Sequence, residues 1–218
     1  MKWLTIALFA FMLSESVFLG KQKTIVFYYF ITREMKGMKQ SKLSIQEICS
    51  IAIMTAITAV MAQISIPLPM MVPMTMQTFA VTLAGIVLGS KCGSIAMGIY
   101  LLLGAVGVPV FSGFKGGLQS LVGPTGGFLL SFPLMAYIIG KGMELRKQKG
   151  MFVLLLCVGT ISNYVVGVLM YCVVMDSSAW TAITACVLPF VPSAVIKAVL
   201  AAVMGLQLRK QLEKSRMI

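Results

Sequence analysis

Lys197 is the residue whose position most needs an explanation. It stands about eight positions inside an apolar stretch, 188–208, which is roughly 12 Å along a helix axis at 1.5 Å per residue. An ammonium at that depth is costly, and an ionisable group inside a membrane-length apolar run marks a functional site by default. No acidic residue lies within one helical turn of it, so an anionic ligand group is the partner its chemistry asks for. A lysine that snorkels or bonds backbone carbonyls is the structural alternative. Asn163 and Tyr164, within the apolar run 151–174, and Gln77 and Thr78, near the start of the run 73–88, are further polar groups that can face a pocket or bond a neighbouring helix.

The missing residues narrow the chemistry further. The chain has no histidine, which removes histidine bases, triads and metal ligands. Asp176 and Glu144 fall in separate connections, so no convergent acid–base pair supports a membrane-embedded enzyme. There is no Gly-x-x-x-x-Gly-Lys-Ser/Thr phosphate loop, so the chain is not an ATPase by itself. The five cysteines form no Cys-x-x-Cys and read as small buried hydrophobes. No cofactor or metal is expected.

Composition dictates the setting of these residues. Of 218 residues, 59% are hydrophobic and 11% charged, and the mean hydropathy is +0.96. A soluble globule of this size cannot hide so much apolar surface, so the chain reads as an integral membrane protein. Eighteen basic residues against six acidic give a net charge of +12. The basic residues fall between apolar runs, which makes them topology signals rather than a nucleic-acid surface.

Six apolar runs are long enough to span: 48–66, 73–88, 94–110, 125–139, 151–174 and 188–208. Lys21, Lys23, Arg33, Lys36, Lys39 and Lys42 precede the first. Lys91 separates the second and third, Lys141, Arg146, Lys147 and Lys149 the fourth and fifth, and Arg209, Lys210, Lys214 and Arg216 follow the sixth. The alternate connections carry only Lys115. The expected fold is therefore an all-α, six-transmembrane-helix bundle in the cell membrane, in contact with its lipid, with both termini cytoplasmic. A basic extension, 1–44, precedes the six-helix domain, 45–208, and a basic cytoplasmic tail, 209–218, follows it. The apolar stretch 3–18 admits three readings: a leader, a further helix, or sequence upstream of a start at Met35 or Met38.

Small residues recur at four-residue spacing, as Ala52 and Ala56, Gly85 and Gly89, and Ala201 and Gly205. Such pairs let helix backbones approach closely in lipid, and the first pair could instead dock a partner. The connection after the third run, from Val108 through Ser112 to Phe128, is rich in glycine yet carries Leu118, Leu121 and Val122. It reads as an ordered outer cap that dips toward the bundle, or as a tight turn. The uncharged, proline-rich connection 67–75 reads as a lid or a stiff hairpin.

Several of these runs carry a family resemblance. Gln63-Ile64-Ser65-Ile66-Pro67-Leu68-Pro69, Met76-Gln77-Thr78-Phe79, Gly107-Val108-Pro109-Val110-Phe111, Gly123-Pro124-Thr125-Gly126-Gly127-Phe128 and Leu188-Pro189-Phe190-Val191-Pro192 with Lys197 resemble the BioY family over about residues 45–208. The resemblance implies a biotin-binding S component of an energy-coupling factor (ECF) transporter, a subunit that captures biotin on the outer side and is not an enzyme. A stand-alone secondary carrier for biotin or a related small anionic vitamin is the alternative. The implied partners are biotin, a transmembrane coupling protein docking on Ala52 and Ala56, and two cytoplasmic ATPases, with no nucleic acid. The site expected is Lys197, holding or orienting an anionic group, with Asn163, Tyr164, Gln77 and Ser112 as further polar contacts. One position departs: where the family has an aspartate three residues before the lysine, this chain has Ala194. Alanine cannot accept the hydrogen bonds of a ureido group, which leaves three readings: biotin binds more weakly, another acceptor such as Asn163 takes its place, or the ligand is a relative of biotin.

Overall fold

A capping box starts the first helix. The Ser44 hydroxyl accepts from the Glu47 backbone N–H at 3.2 Å, and the Glu47 carboxylate accepts from the Ser44 N–H at 2.7 Å, satisfying two donors that a helix N-terminus otherwise leaves open. The computed structural model describes residues 43–66, 72–146, 148 and 150–215. The chain divides into two units between Leu43 and Ser44. The extension and its apolar stretch 3–18 lie outside the described residues.

Helix α1 (Ile45–Gln63) ends three residues short of the expected Ile66. Ile64 is already extended, and β1 (Ser65–Ile66) pairs antiparallel with β2 (Met74–Thr75), Ser65 opposite Thr75. The residue before a proline is pushed out of the helical region, which ends the element ahead of Pro67. The second run begins helically at Gln77 rather than Pro73, because 74–75 belong to β2.

Helix α2 (Gln77–Ala105) covers the expected second and third runs, but it is bent back on itself at Gly89, whose φ of 79° and ψ of −173° are not helical. In a straight helix residues 77 and 100 would lie about 35 Å apart. Instead the Gln77 side-chain amide donates to the Tyr100 hydroxyl at 2.6 Å. The limbs 77–88 and 90–105 thus form a helical hairpin. Gly89 is its turn, where a left-handed φ favours glycine, and not the packing position that its spacing from Gly85 suggested. Gly85 is one: a Cβ there would come within 2.8 Å of the Ala136 carbonyl. Two charged side chains close the turn. The Glu144 carboxylate accepts from Ser90 N–H at 3.1 Å and from its hydroxyl at 2.6 Å, capping the second limb. The Arg209 guanidinium donates to the Ile86 carbonyl at 3.0 Å, capping the first.

Beyond α2 come the short helices α3 (Leu118–Val122) and α4 (Gly126–Leu130), then α5 (Phe132–Glu144), α6 (Met151–Met175), α7 (Ala179–Cys186) and α8 (Val191–Lys214). Two of these correct the sequence reading. The outer connection 175–187 contains helix α7, opened by Ser178 as N-cap. The last helix begins at Val191, with Pro192 in its first turn, and runs on through Arg209 to Lys214, so most of the expected tail is helical.

The α2 hairpin is the centre. Its limbs bury Phe79, Ile86, Met97 and Tyr100 against α1, α5 and α8, and α6 packs outside α5. Gly205 of α8 seats on Ile86, where a Cβ would approach to 2.8 Å. The outer helices bury little. The buried residues of α6 are Gly159, Asn163, Gly167 and Tyr171, each four apart, a single seam of the kind that packs into a neighbour's groove. Its remaining faces expose Leu154, Ile161, Val165 and Leu169, and α8 likewise exposes Val195, Val199 and Val203. Apolar surface on this scale is solvated by lipid. Among the described residues five helical stretches are long and apolar enough to cross a membrane: α1, α2, α4 with α5, α6 and α8. Cys92 and Cys186 are buried as expected, whereas Cys49 and Cys157 are exposed on outward helix faces.

Candidate ligand-binding site

Between the small sheet, the start of α2, the segment 111–125, α6 and the start of α8 lies a cavity of about 740 Å³. That is within the range of about 300–1,000 Å³ usual for small-molecule sites. A side chamber of about 20 Å³, one water's worth of space, opens beside Asn163, Ala194 and Lys197. Five aromatic side chains line it (Phe111, Phe128, Phe132, Tyr164 and Phe190), with polar groups set among them.

Each polar side chain arrives by its own route. Lys197 sits one turn and a half into α8. Its ammonium donates to the Thr75 carbonyl at 2.8 Å, so it is tied to β2, as the backbone-bonded alternative requires. An ammonium has three donors, and it also borders the cavity, so capacity remains. Among the described residues no carboxylate pairs with it. Asn163 lies on the buried seam of α6, 2% exposed. Its amide nitrogen donates to the Phe128 carbonyl at 3.0 Å and to the Ser131 hydroxyl at 2.6 Å. Tyr164, its neighbour, meets Phe128 edge to face, with ring centroids 6.4 Å apart.

Gln77 borders the cavity as part of a string of hydrogen bonds. The Thr75 hydroxyl donates to Gln77 Oε1 at 2.9 Å, Gln77 Nε2 to the Tyr100 hydroxyl at 2.6 Å, and that hydroxyl to the Val110 carbonyl at 3.0 Å. Ser112 borders the cavity from the outer segment. The structure therefore gathers Lys197, Asn163, Tyr164, Gln77 and Ser112, from distant parts of the sequence, around one space. Ala194 contributes only its methyl group.

Three contributors were not singled out in the sequence. Gln63, at the end of α1, holds the outer segment with both ends of its amide: Oε1 accepts from Phe114 N–H at 2.9 Å, and Nε2 donates to the Phe111 carbonyl at 3.1 Å. Tyr100 anchors the same segment through Val110. Lys115, bridged to Phe111, also borders the cavity; its lone charge in an otherwise neutral connection was the signal available. The segment 111–125 is thus an ordered cap rather than a simple turn. It is locked further where Gly127 seats on α6, since a Cβ there would come within 2.6 Å of the Val166 carbonyl. Ala52 and Ala56, by contrast, lie on the exposed face of α1, away from its buried residues Ile51, Met54, Thr55 and Thr58.

A multi-pass helical membrane protein with a cavity of this size, lined by aromatic and polar side chains, is built to hold a small organic solute. The chain belongs to the BioY family, whose model matches residues 35–214. It is 41% identical over 165 residues to the biotin transporter BioY of Thermotoga maritima, covering 76% of this chain and 96% of that one. It is 38% identical to the biotin transporter BioY2 of Lactococcus lactis, covering 74% and 89%. A probable biotin transporter BioY of Pyrococcus horikoshii matches at 47% over 97 residues, which is 44% of this chain and 59% of that relative's length. The fold also matches a crystal structure of the S component for biotin from an ECF-type ABC transporter. The TM-score is 0.70 at 30% identity, over 76% of this chain and 92% of that one.

Proposed function

We propose that this chain is the biotin-binding S component of an ECF-type transporter and that the 740 Å³ cavity is its biotin site. The observation that carries the reading is the convergence of Lys197, Asn163, Tyr164, Gln77 and Ser112 on that cavity within a BioY fold. Biotin combines a rigid ring system, an aliphatic chain and polar groups at both ends. A cavity with several aromatic side chains and separated polar groups suits it. Lys197 donates to a ligand oxygen with the donors that Thr75 leaves free, and Lys115 supplies a second cation from the cap.

The Gly89 hairpin counts as two crossings, so the described helices make six, with the basic connections and both ends of this six-helix domain on the cytoplasmic side and the cavity toward the outside. A transmembrane coupling protein docks on the Ala52 and Ala56 face of α1, and two cytoplasmic ATPases supply the energy this chain cannot. Titration of the purified protein with biotin tests the reading. The parent binds, and Lys197→Ala, which removes a charge-assisted hydrogen bond of about 1.5–3 kcal/mol, lowers affinity roughly 10- to 150-fold. A parent that binds no biotin, or a Lys197→Ala variant that binds as well as the parent, overturns it.

A further inference from the structure

The Asn163 amide has only one workable orientation. The Phe128 carbonyl can only accept, so the group 3.0 Å from it must be Nδ2. The same nitrogen donates to the Ser131 hydroxyl, which itself donates to the Phe128 carbonyl at 2.8 Å. Oδ1 is therefore turned away from this anchor, and among the described residues nothing donates to it. It is not a sealed, orphaned atom either. The only buried side-chain N or O found without a partner among the described residues is Ser177 Oγ. Asn163 is 2% exposed and borders both the cavity and its side chamber, so the opening its oxygen has is to that space.

The neighbouring groups are hydroxyls or apolar. The Thr82 and Thr160 hydroxyls at the side chamber donate backwards to the Thr78 and Leu156 carbonyls, which leaves them as acceptors only, the Thr78 and Tyr164 hydroxyls can accept or donate, and Ala194 has no polar atom. The chamber thus presents one amide acceptor, held in place from behind, and one ammonium donor, with hydroxyls between them. A carboxylate would face Lys197 favourably but the Asn163 oxygen unfavourably. A ureido group suits both, because its oxygen accepts from the lysine and its N–H donates to the amide.

We infer that Asn163 Oδ1 accepts a hydrogen bond from a ureido N–H of the ligand, doing in this chain what an acidic side chain at position 194 would do. The ureido ring then lies at the Lys197 end, and the carboxylate extends toward the cap and Lys115. This revises the expectation that Lys197 faces the anionic group. The inference rests on the reading of the cavity as the biotin site.

A cycle that varies both protein and ligand tests it. Biotin and its two analogues singly methylated at one or the other ureido nitrogen are titrated into the parent, Asn163→Ala, and Asn163→Ala with Ala194→Asp. In the parent one methylation weakens binding at least about 10-fold. Asn163→Ala weakens biotin by a similar factor, and the same methylation then costs little. The added Ala194→Asp restores biotin affinity and the methylation penalty. A merely structural asparagine would lower affinity for all three ligands alike. Equal methylation penalties in parent and Asn163→Ala, for both analogues, overturn the inference. Ala194→Phe separates that result from failure of the underlying reading. Biotin binding unaffected by this bulky side chain means that the cavity is not the site. Binding abolished by it, with no coupling in the cycle, means that the cavity is the site and Asn163 is not the acceptor.

Discussion

Tyr100→Phe removes one oxygen from the middle of the string that joins the ligand cavity to its cap. Tyr100 is fully buried. Its hydroxyl accepts from Gln77 Nε2 at 2.6 Å and donates to the Val110 carbonyl at 3.0 Å. Phenylalanine keeps the ring and its edge-to-face contact with Phe111, so the change is confined to hydrogen bonding. It orphans one donor and one acceptor, each worth about 1–3 kcal/mol when left buried. Gln63 Nε2, already 3.5 Å from the Val110 carbonyl, can close on it, which holds that cost to the low end. The sum is about 2–4 kcal/mol. At about 2–4 °C per kcal/mol for a chain of this length, the unfolding midpoint falls on the order of 5–15 °C. Thermal unfolding of the purified protein reads it, and adding Gln77→Leu supplies the diagnostic arm. With the stranded donor removed, the double variant is more stable than Tyr100→Phe alone, because replacing both partners by apolar groups avoids the unpaired one. Biotin dissociates faster from Tyr100→Phe, since the cap loses one of its ties to the bundle and keeps those through Gln63. A midpoint shift under about 1 °C, or a Gln77→Leu cost that is the same with and without Tyr100, refutes the reasoning.

Gly205→Ala places a Cβ 2.8 Å from the Ile86 side chain; the overpacking lowers stability by about 1–3 kcal/mol, read in the same thermal assay. Burial pushes the Cys186 thiol up to about 11 from 9.0. Its thiolate fraction at pH 8 is then roughly 100-fold below that of an unshifted thiol, so alkylation followed by mass spectrometry is slow and accelerates about tenfold per pH unit up to about pH 10. Because Cys186 also borders the cavity, bound biotin slows it further. Ala56→Trp on the exposed face of α1 leaves biotin binding by the isolated protein unchanged but abolishes biotin uptake by cells that carry the coupling protein and ATPases; uptake at the parental rate would remove that face from the docking surface.

What the sequence determined by itself follows from local preference for lipid over water. Hydropathy summed over a helix-length window reports that preference residue by residue, so the membrane class and the helical runs were legible, with ends displaced by up to about six residues, as at Glu144 and Lys214. Lys197 was legible for the same reason, since one charge in an apolar run breaks the pattern. The family motifs added the ligand and an expectation of the partners. Boundaries failed where a local rule was overridden: at 64–66, where strand pairing replaced the end of a helix, and in 175–187, where a short helix formed in what read as a connection.

Tertiary structure decided how the polar groups are used, because hydrogen bonds joining residues 23, 48 and 122 positions apart leave no trace in local composition. Gly89 and Gly85 share a spacing, yet only packing made one a turn and the other a contact. Gln63 and Tyr100 look like unremarkable members of apolar helices until the cap is folded onto them. Asn163 was visible as a polar residue in an apolar run. The direction of its amide exists only once the Phe128 carbonyl is brought against it, and an acceptor differs from a donor only by where that carbonyl lies.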